Sequence, residues 1–191
     1  MHLPNKITLG RIVLAAVLFV LLDTVCREQP GGLVWYVAFA LFVVTVLTDG
    51  LDGYLARSRD QISAFGRIAD PFADKIVICG VLVLATTLEQ TREMVPPWIV
   101  LVVLAREFLV SGLRGYLEGQ GTRFGARWEG KTKLFIQAIF CGAVLFYPGD
   151  RMAWVAFLGE ICLWATLVIT VYSGLSYLRA ARDILVGGAD L

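Results

Sequence analysis

Apolar residues run along this chain of 191 residues in six long blocks, roughly 5–26, 33–57, 70–89, 96–118, 131–147 and 153–181. A helix rises 1.5 Å per residue, so about 20 residues cross a hydrocarbon core of ~30 Å. Each block therefore predicts one membrane-spanning helix. The connections are short and rich in turn formers: Gln29-Pro30-Gly31-Gly32, Pro96-Pro97 and Tyr147-Pro148-Gly149-Asp150. No repeat, low-complexity tract or long linker breaks the series, so residues 1–191 read as a single domain. The predicted fold class is all-α, a polytopic six-transmembrane-helix bundle.

Polar positions inside the blocks gather at particular ends. The second block is uncharged from Leu33 to Thr48 and then meets Asp49 and Asp52. The third opens with Asp70, Asp74 and Lys75, and the fourth is apolar until Arg106, Glu107 and Arg114. With six spans these ends share one side, which predicts a polar cavity open to that side. The basic residues sort the same way. Fourteen of the seventeen fall on that side, and only Arg27, Arg92 and Arg151 on the other. The positive-inside rule makes the crowded side cytoplasmic, together with both termini, and predicts a multi-pass protein of the cell (inner) membrane. Arg123, Arg127, Arg179 and Arg182 read as headgroup anchors, and Trp35, Tyr36, Trp98 and Tyr147 as an interfacial belt.

Composition sharpens this picture. The chain is 58% hydrophobic and 17% charged, where soluble domains carry about a quarter charged residues. A net charge of +1 gives no bulk attraction to nucleic acid. Cys26, Cys79, Cys141 and Cys162 form no CxxC pair and read as small packing residues. The single histidine, His2, excludes histidine-based catalysis or metal clusters. Lys6 and Arg11 ahead of Ile12–Leu22 imitate a secretory leader. However, Asp23-Thr24-Val25-Cys26-Arg27 offers no small-x-small cleavage site, so the segment reads as a retained first helix.

Ionisable groups within membrane segments cost about 2.5–3.5 kcal/mol each on insertion scales, and four neighbouring carboxylates also repel one another. Either arginine partners or bound cations would compensate, and the spacing favours cations. Asp49 and Asp52 lie at i, i+3 and Asp70 and Asp74 at i, i+4, so each pair shares a helix face. Two such faces offer the hard oxygen ligands that Mg²⁺ or Mn²⁺ prefers alongside substrate phosphates. Two ions would clamp a diphosphate and neutralise charge as a phosphorus–oxygen bond breaks. Gly53 and Gly66 allow a nucleotide close to the backbone, and Arg57 supplies a planar cationic donor.

Taken in order, Asp49-x2-Asp52-Gly53-x2-Ala56-Arg57-x8-Gly66-x3-Asp70-x3-Asp74 is similar at every position to the signature of the CDP-alcohol phosphotransferase family. The resemblance implies six transmembrane helices, usually in a homodimer, with a cytoplasm-facing site that moves a substituted phosphate from a CDP-linked lipid to an alcohol. It implies that Asp49, Asp52, Asp70 and Asp74 hold the metal, with Asp74 doubling as the general base. Asp52, Gly53, Ala56, Arg57 and Gly66, with Thr8 from the opening segment, would surround the CDP moiety. Outside the signature, Pro4-Asn5-Lys6-Ile7-Thr8-Leu9-x-Arg11, Asp70-Pro71-x-Ala73-Asp74-Lys75, Arg106-Glu107-Phe108-x2-Ser111-Gly112-Leu113-Arg114 and Gly130-Lys131-x-Lys133 resemble members acting on CDP-diacylglycerol and sn-glycerol 3-phosphate.

That acceptor also has a physical argument, because its phosphate must be held beside an anionic lipid diphosphate. Arg106, Arg114, Lys131 and Lys133 sit at the cytoplasmic ends of the fourth and fifth blocks, where they would make charge-assisted bonds to it. Each also has a plainer role open to it, as a snorkelling anchor or, for Arg106, as a partner of Glu107 or an aspartate. Inositol phosphate and phosphatidylglycerol remain alternative acceptors. A metal or ion transporter is the competing class, but it would place acids near mid-membrane in repeated, broken helices.

Overall fold

The structure is a computed structural model that describes residues 3–59, 64–119 and 128–187. Within these it describes the side chains at 9–48, 72–73, 75–119, 128, 130, 132–149 and 151–182. The described residues form helices and turns, with no strand. In chain order these are α1 (Leu3–Leu21), a π-helical turn (Leu22–Cys26), α2 (Leu33–Arg59), α3 (Ala64–Thr87), α4 (Pro97–Gly119), α5 (Trp128–Asp150) and α6 (Ala153–Gly187). Each predicted block has become one helix.

Among the described residues, three stretches are long and apolar enough to cross a membrane: Leu9–Cys26, Thr132–Gly149 and Ala153–Arg182. Within their described side chains α2 and α3 carry the apolar runs Leu33–Thr48 and Lys75–Thr87. Arg106, Glu107 and Arg114 interrupt the apolar run of α4. These helices make the chain a membrane protein. Its surface agrees: Leu101, Phe108, Phe135, Phe157 and Val168 are all exposed, an apolar exterior that would draw association in water but suits lipid.

Local chemistry sets the helix ends. Pro97 takes the first position of α4, where its missing N–H has no intrahelical partner to lose. Gly32 adopts φ +92° just before α2, and its carbonyl accepts the Trp35 N–H at 3.1 Å. The turn expected at Tyr147-Pro148-Gly149-Asp150 is displaced. α5 continues through Pro148 to Asp150, and the chain reverses at Arg151, whose φ is +51° and whose N–H reaches the Tyr147 carbonyl at 2.7 Å. Proline removes one donor, but a final helical turn tolerates that loss.

Contacts between helices close a ring, α1–α2–α5–α6–α4–α3 and back to α1, with α3 also touching α2 and α5. The main apolar cluster draws on all six, including Leu18, Phe42, Leu82, Ile99, Phe140 and Leu163. A smaller cluster of Val110, Leu117, Tyr177 and Ala181 ties α4 to α6. Gly80 lets α1 and α3 approach, since a Cβ there would come within 2.2 Å of the Phe19 ring. One residue expected at the interface is a core residue instead. Trp35 is fully buried, its indole N–H satisfied by the Gln29 carbonyl at 3.1 Å, so it needs no interfacial water. Arg11 is likewise buried. Trp98, in contrast, is exposed as a belt residue should be.

Candidate active site

A charged cluster lies buried where α3, α4, α5 and α6 meet. Arg106, Glu107 and Lys133 are 8%, 6% and 4% exposed. One carboxylate oxygen, Glu107 Oε1, accepts from Arg106 Nη1 at 3.2 Å and from Lys133 Nζ. Neighbouring residues of a helix usually face apart. Here both are buried because α4 packs against α3 on one flank and α6 on another. The Glu107 carbonyl accepts from Ser111 Oγ one turn later, and Ser111 Oγ in turn accepts from Lys75 Nζ. Lys75 directly follows Asp74, so this chain of bonds fixes the start of the apolar part of α3 at the height of Glu107 and Ser111.

Towards α6 the partners change. Arg106 Nε donates to Ser173 Oγ at 3.1 Å, and Ser173 donates to the Thr170 carbonyl at 3.1 Å. Arg114 Nη2 donates to the Tyr177 hydroxyl at 3.2 Å. The guanidinium carbons of Arg106 and Arg114 lie 5.4 and 5.9 Å from the centroid of that same tyrosine ring, within cation–π range. Gln137 Nε2 reaches Thr170 Oγ1 at 3.4 Å. Among the described residues, Glu107 supplies the carboxylate and Lys75, Arg106, Arg114 and Lys133 the cations of this cluster. Moreover, Arg106 Nη2 and Arg114 Nε are buried and meet no acceptor among the described residues. Buried donors cost free energy unless something accepts from them, and an anionic ligand would do so.

The structure thus brings Arg106, Arg114 and Lys133 together and makes none of them a plain surface anchor. Lys131 lies on α5 with its side chain outside the described residues. The same holds for Thr8 on α1, for Asp49, Asp52, Gly53, Ala56 and Arg57 on α2, and for Gly66, Asp70 and Asp74 on α3. Arg123 and Arg127 are outside the described residues altogether. Backbone register is nevertheless informative. Asp49 lies ten residues before the end of α2 and Asp74 ten residues after the start of α3. The two helices touch, and four residues join them, a link that spans at most about 18 Å. The backbone thus sets Asp49 and Asp52 on one helix and Asp70 and Asp74 on the next, with the two helices in contact.

The pairing of Arg106 with Glu107 was one of the roles open to it in the sequence, and Lys75 was placed at the same polar end, but Ser173 and Tyr177 were missed as members of this cluster. The α6 residues carried a readable signal: Thr166, Thr170, Ser173 and Tyr177 recur at helical spacing through an apolar helix, and all four are buried.

Comparison with known proteins places the chain in a family. The sequence pattern of the family described as CDP-alcohol phosphatidyltransferase matches residues 1–172. A Rickettsia bellii protein named CDP-diacylglycerol–glycerol-3-phosphate 3-phosphatidyltransferase is 34% identical over 182 residues, covering 95% of this chain and 96% of its own. Proteins of the same name from Bacillus subtilis and Haemophilus influenzae are 31% and 28% identical, covering 92% and 100% of this chain and 93% and 98% of their own. With nine-tenths of its length matched and its acidic signature intact on two neighbouring helices, the chain belongs to the CDP-alcohol phosphatidyltransferase family.

Proposed function

We propose that the protein transfers the phosphatidyl group of CDP-diacylglycerol to sn-glycerol 3-phosphate, yielding phosphatidylglycerol phosphate and CMP. The observation that carries this acceptor is the pair of buried guanidinium nitrogens, Arg106 Nη2 and Arg114 Nε, that meet no acceptor among the described residues. A phosphomonoester would accept from those donors, whereas serine lacks a phosphate and brings an ammonium group that cations repel. The name shared by the relatives agrees with it.

In this reading the lipid enters laterally from the inner leaflet, its acyl chains remaining in the bilayer. Thr8, Asp52, Gly53, Ala56, Arg57 and Gly66 enclose the CDP moiety. Asp49, Asp52, Asp70 and Asp74 would hold two Mg²⁺ or Mn²⁺ ions, which supply charge neutralisation at the diphosphate. Arg106, Arg114, Lys131 and Lys133 bind the acceptor's phosphate through charge-assisted hydrogen bonds. Asp74 accepts the proton of the acceptor's 1-hydroxyl while its oxygen attacks the lipid-side phosphorus. A new phosphorus–oxygen bond forms, the bond to CMP breaks, and CMP leaves with the electron pair. Catalysis then rests chiefly on positioning and charge stabilisation. The chain would cross the inner membrane six times with both termini and the polar cavity cytoplasmic, and would work as a homodimer.

An acceptor panel tests the assignment. Purified protein in detergent is given CDP-diacylglycerol, Mg²⁺ or Mn²⁺, and in turn glycerol 3-phosphate, inositol phosphate, phosphatidylglycerol or serine, and CMP release is measured. Release stimulated by glycerol 3-phosphate well above the rest is expected. Preference for another acceptor overturns the assignment while leaving the reaction class in place.

A further inference from the structure

Four features of α6 converge on the two arginines of the cluster. Ser173 accepts from Arg106 Nε at 3.1 Å, and its own proton is engaged by the Thr170 carbonyl, which leaves its lone pairs for the guanidinium. Tyr177, one turn later and 1% exposed, accepts from Arg114 Nη2 at 3.2 Å. Its ring lies against both guanidinium groups, at 5.4 and 5.9 Å. Between them, Gly174 makes room for the stem of Arg106, whose Cγ would lie 3.3 Å from any Cβ added there. These contacts engage Arg106 and Arg114 on one side and leave Arg106 Nη2 and Arg114 Nε buried without an acceptor.

We infer that α6, through Ser173, Gly174 and Tyr177, is the positioning wall that orients Arg106 and Arg114 toward the phosphate of the acceptor, and so sets the enzyme's affinity for a phosphorylated alcohol. The inference rests on the reading of those arginines as acceptor-phosphate ligands. Tyr177 and Ser173 act through the arginines; they are positioning residues, and their loss falls on the acceptor and not on the lipid substrate.

The test measures KM for glycerol 3-phosphate and for CDP-diacylglycerol separately, on full-length protein in detergent. Arg114→Gln tests the underlying reading: KM for glycerol 3-phosphate rises by tenfold or more, by about the worth of a charge-assisted bond, while KM for CDP-diacylglycerol stays put. No change in the acceptor KM overturns that reading. Tyr177→Phe keeps the ring and deletes the hydroxyl, and raises the acceptor KM about three- to tenfold. Added to Arg114→Gln it causes no further rise in the acceptor KM, because the hydroxyl acts on the acceptor through that arginine. Gly174→Ala is the control against a merely structural role. Alanine favours a helix interior over glycine, so a structural role predicts unchanged or improved thermal stability and unchanged kinetics. The positioning role predicts a raised acceptor KM, because Arg106 must shift. An unaltered acceptor KM in both Tyr177→Phe and Gly174→Ala, with Arg114→Gln impaired, overturns the inference and leaves the acceptor site standing. Parallel rises in both KM values, or full multiplication of effects in the double variant, also overturn it.

Discussion

Glu107 has an outsized role for a single carboxylate: it is the described counter-charge for two buried cations on two helices. Removing one member of a buried ion cluster leaves the others uncompensated, at a cost of about 3–5 kcal/mol. Glu107→Gln is therefore expected to lower the thermal unfolding midpoint in detergent markedly. Glu107→Leu combined with Lys133→Met, which removes charge in matched pairs, should recover much of that stability without restoring acceptor binding; equal instability of the single and paired variants would refute the ion-cluster account. Asp74 carries a prediction of a different kind. Asp74→Asn retains oxygen and shape but has no basicity. It should keep CDP-diacylglycerol binding largely intact while slowing turnover by about 10²–10⁴-fold, the usual worth of a positioned base. Near-normal turnover would remove Asp74 from that role.

At the level of helices, close approach replaces the hydrophobic effect as the organising force, because lipid is as apolar as the core. The α1–α3 contact depends on Gly80, with the Phe19 ring filling the space a side chain would take. Gly80→Ala should destabilise the protein by about 1–3 kcal/mol through overpacking, and Phe19→Leu in the same chain should relieve it; thermal unfolding of the single and double variants decides. The six helices were legible in the sequence because their apolar blocks are long and their connections short. Their boundaries were less so. Pro148 and Gly149 carry turn chemistry, yet the last turn of a helix tolerates both, and the reversal waits for Arg151. The helices that carry the acidic pairs were legible in the sequence, and their i, i+3 and i, i+4 spacings give each pair one face of its helix. The wall on α6 was not. Ser173 and Tyr177 are mildly polar residues in an apolar stretch, and their purpose depends on α4 lying against α6, a tertiary contact that periodicity does not encode. Trp35 failed as a belt residue for a related reason: its indole found a backbone acceptor inside the Gln29 turn instead of water.

The whole molecule is a closed ring of helices in which α3 touches four others. The acidic signature occupies the α2–α3 hairpin, and the cationic cluster spans α3 to α6. Lys75, adjacent to Asp74 and bonded to Ser111, joins the two. The proposed division of labour follows: the α2–α3 side handles the nucleotide and the reacting diphosphate, the α4–α6 side handles the acceptor, and α3 belongs to both. The central claim is that a phosphatidyl group passes between these two sides. It is tested most directly with CDP-diacylglycerol labelled at the lipid-side phosphorus, incubated with purified protein, glycerol 3-phosphate and Mg²⁺ or Mn²⁺. The account predicts one CMP released for each label found in phosphatidylglycerol phosphate, and no transfer once a chelator removes the metal. Label that stays in CDP-diacylglycerol, while the same protein in vesicles carries the divalent ion across the bilayer, would contradict it.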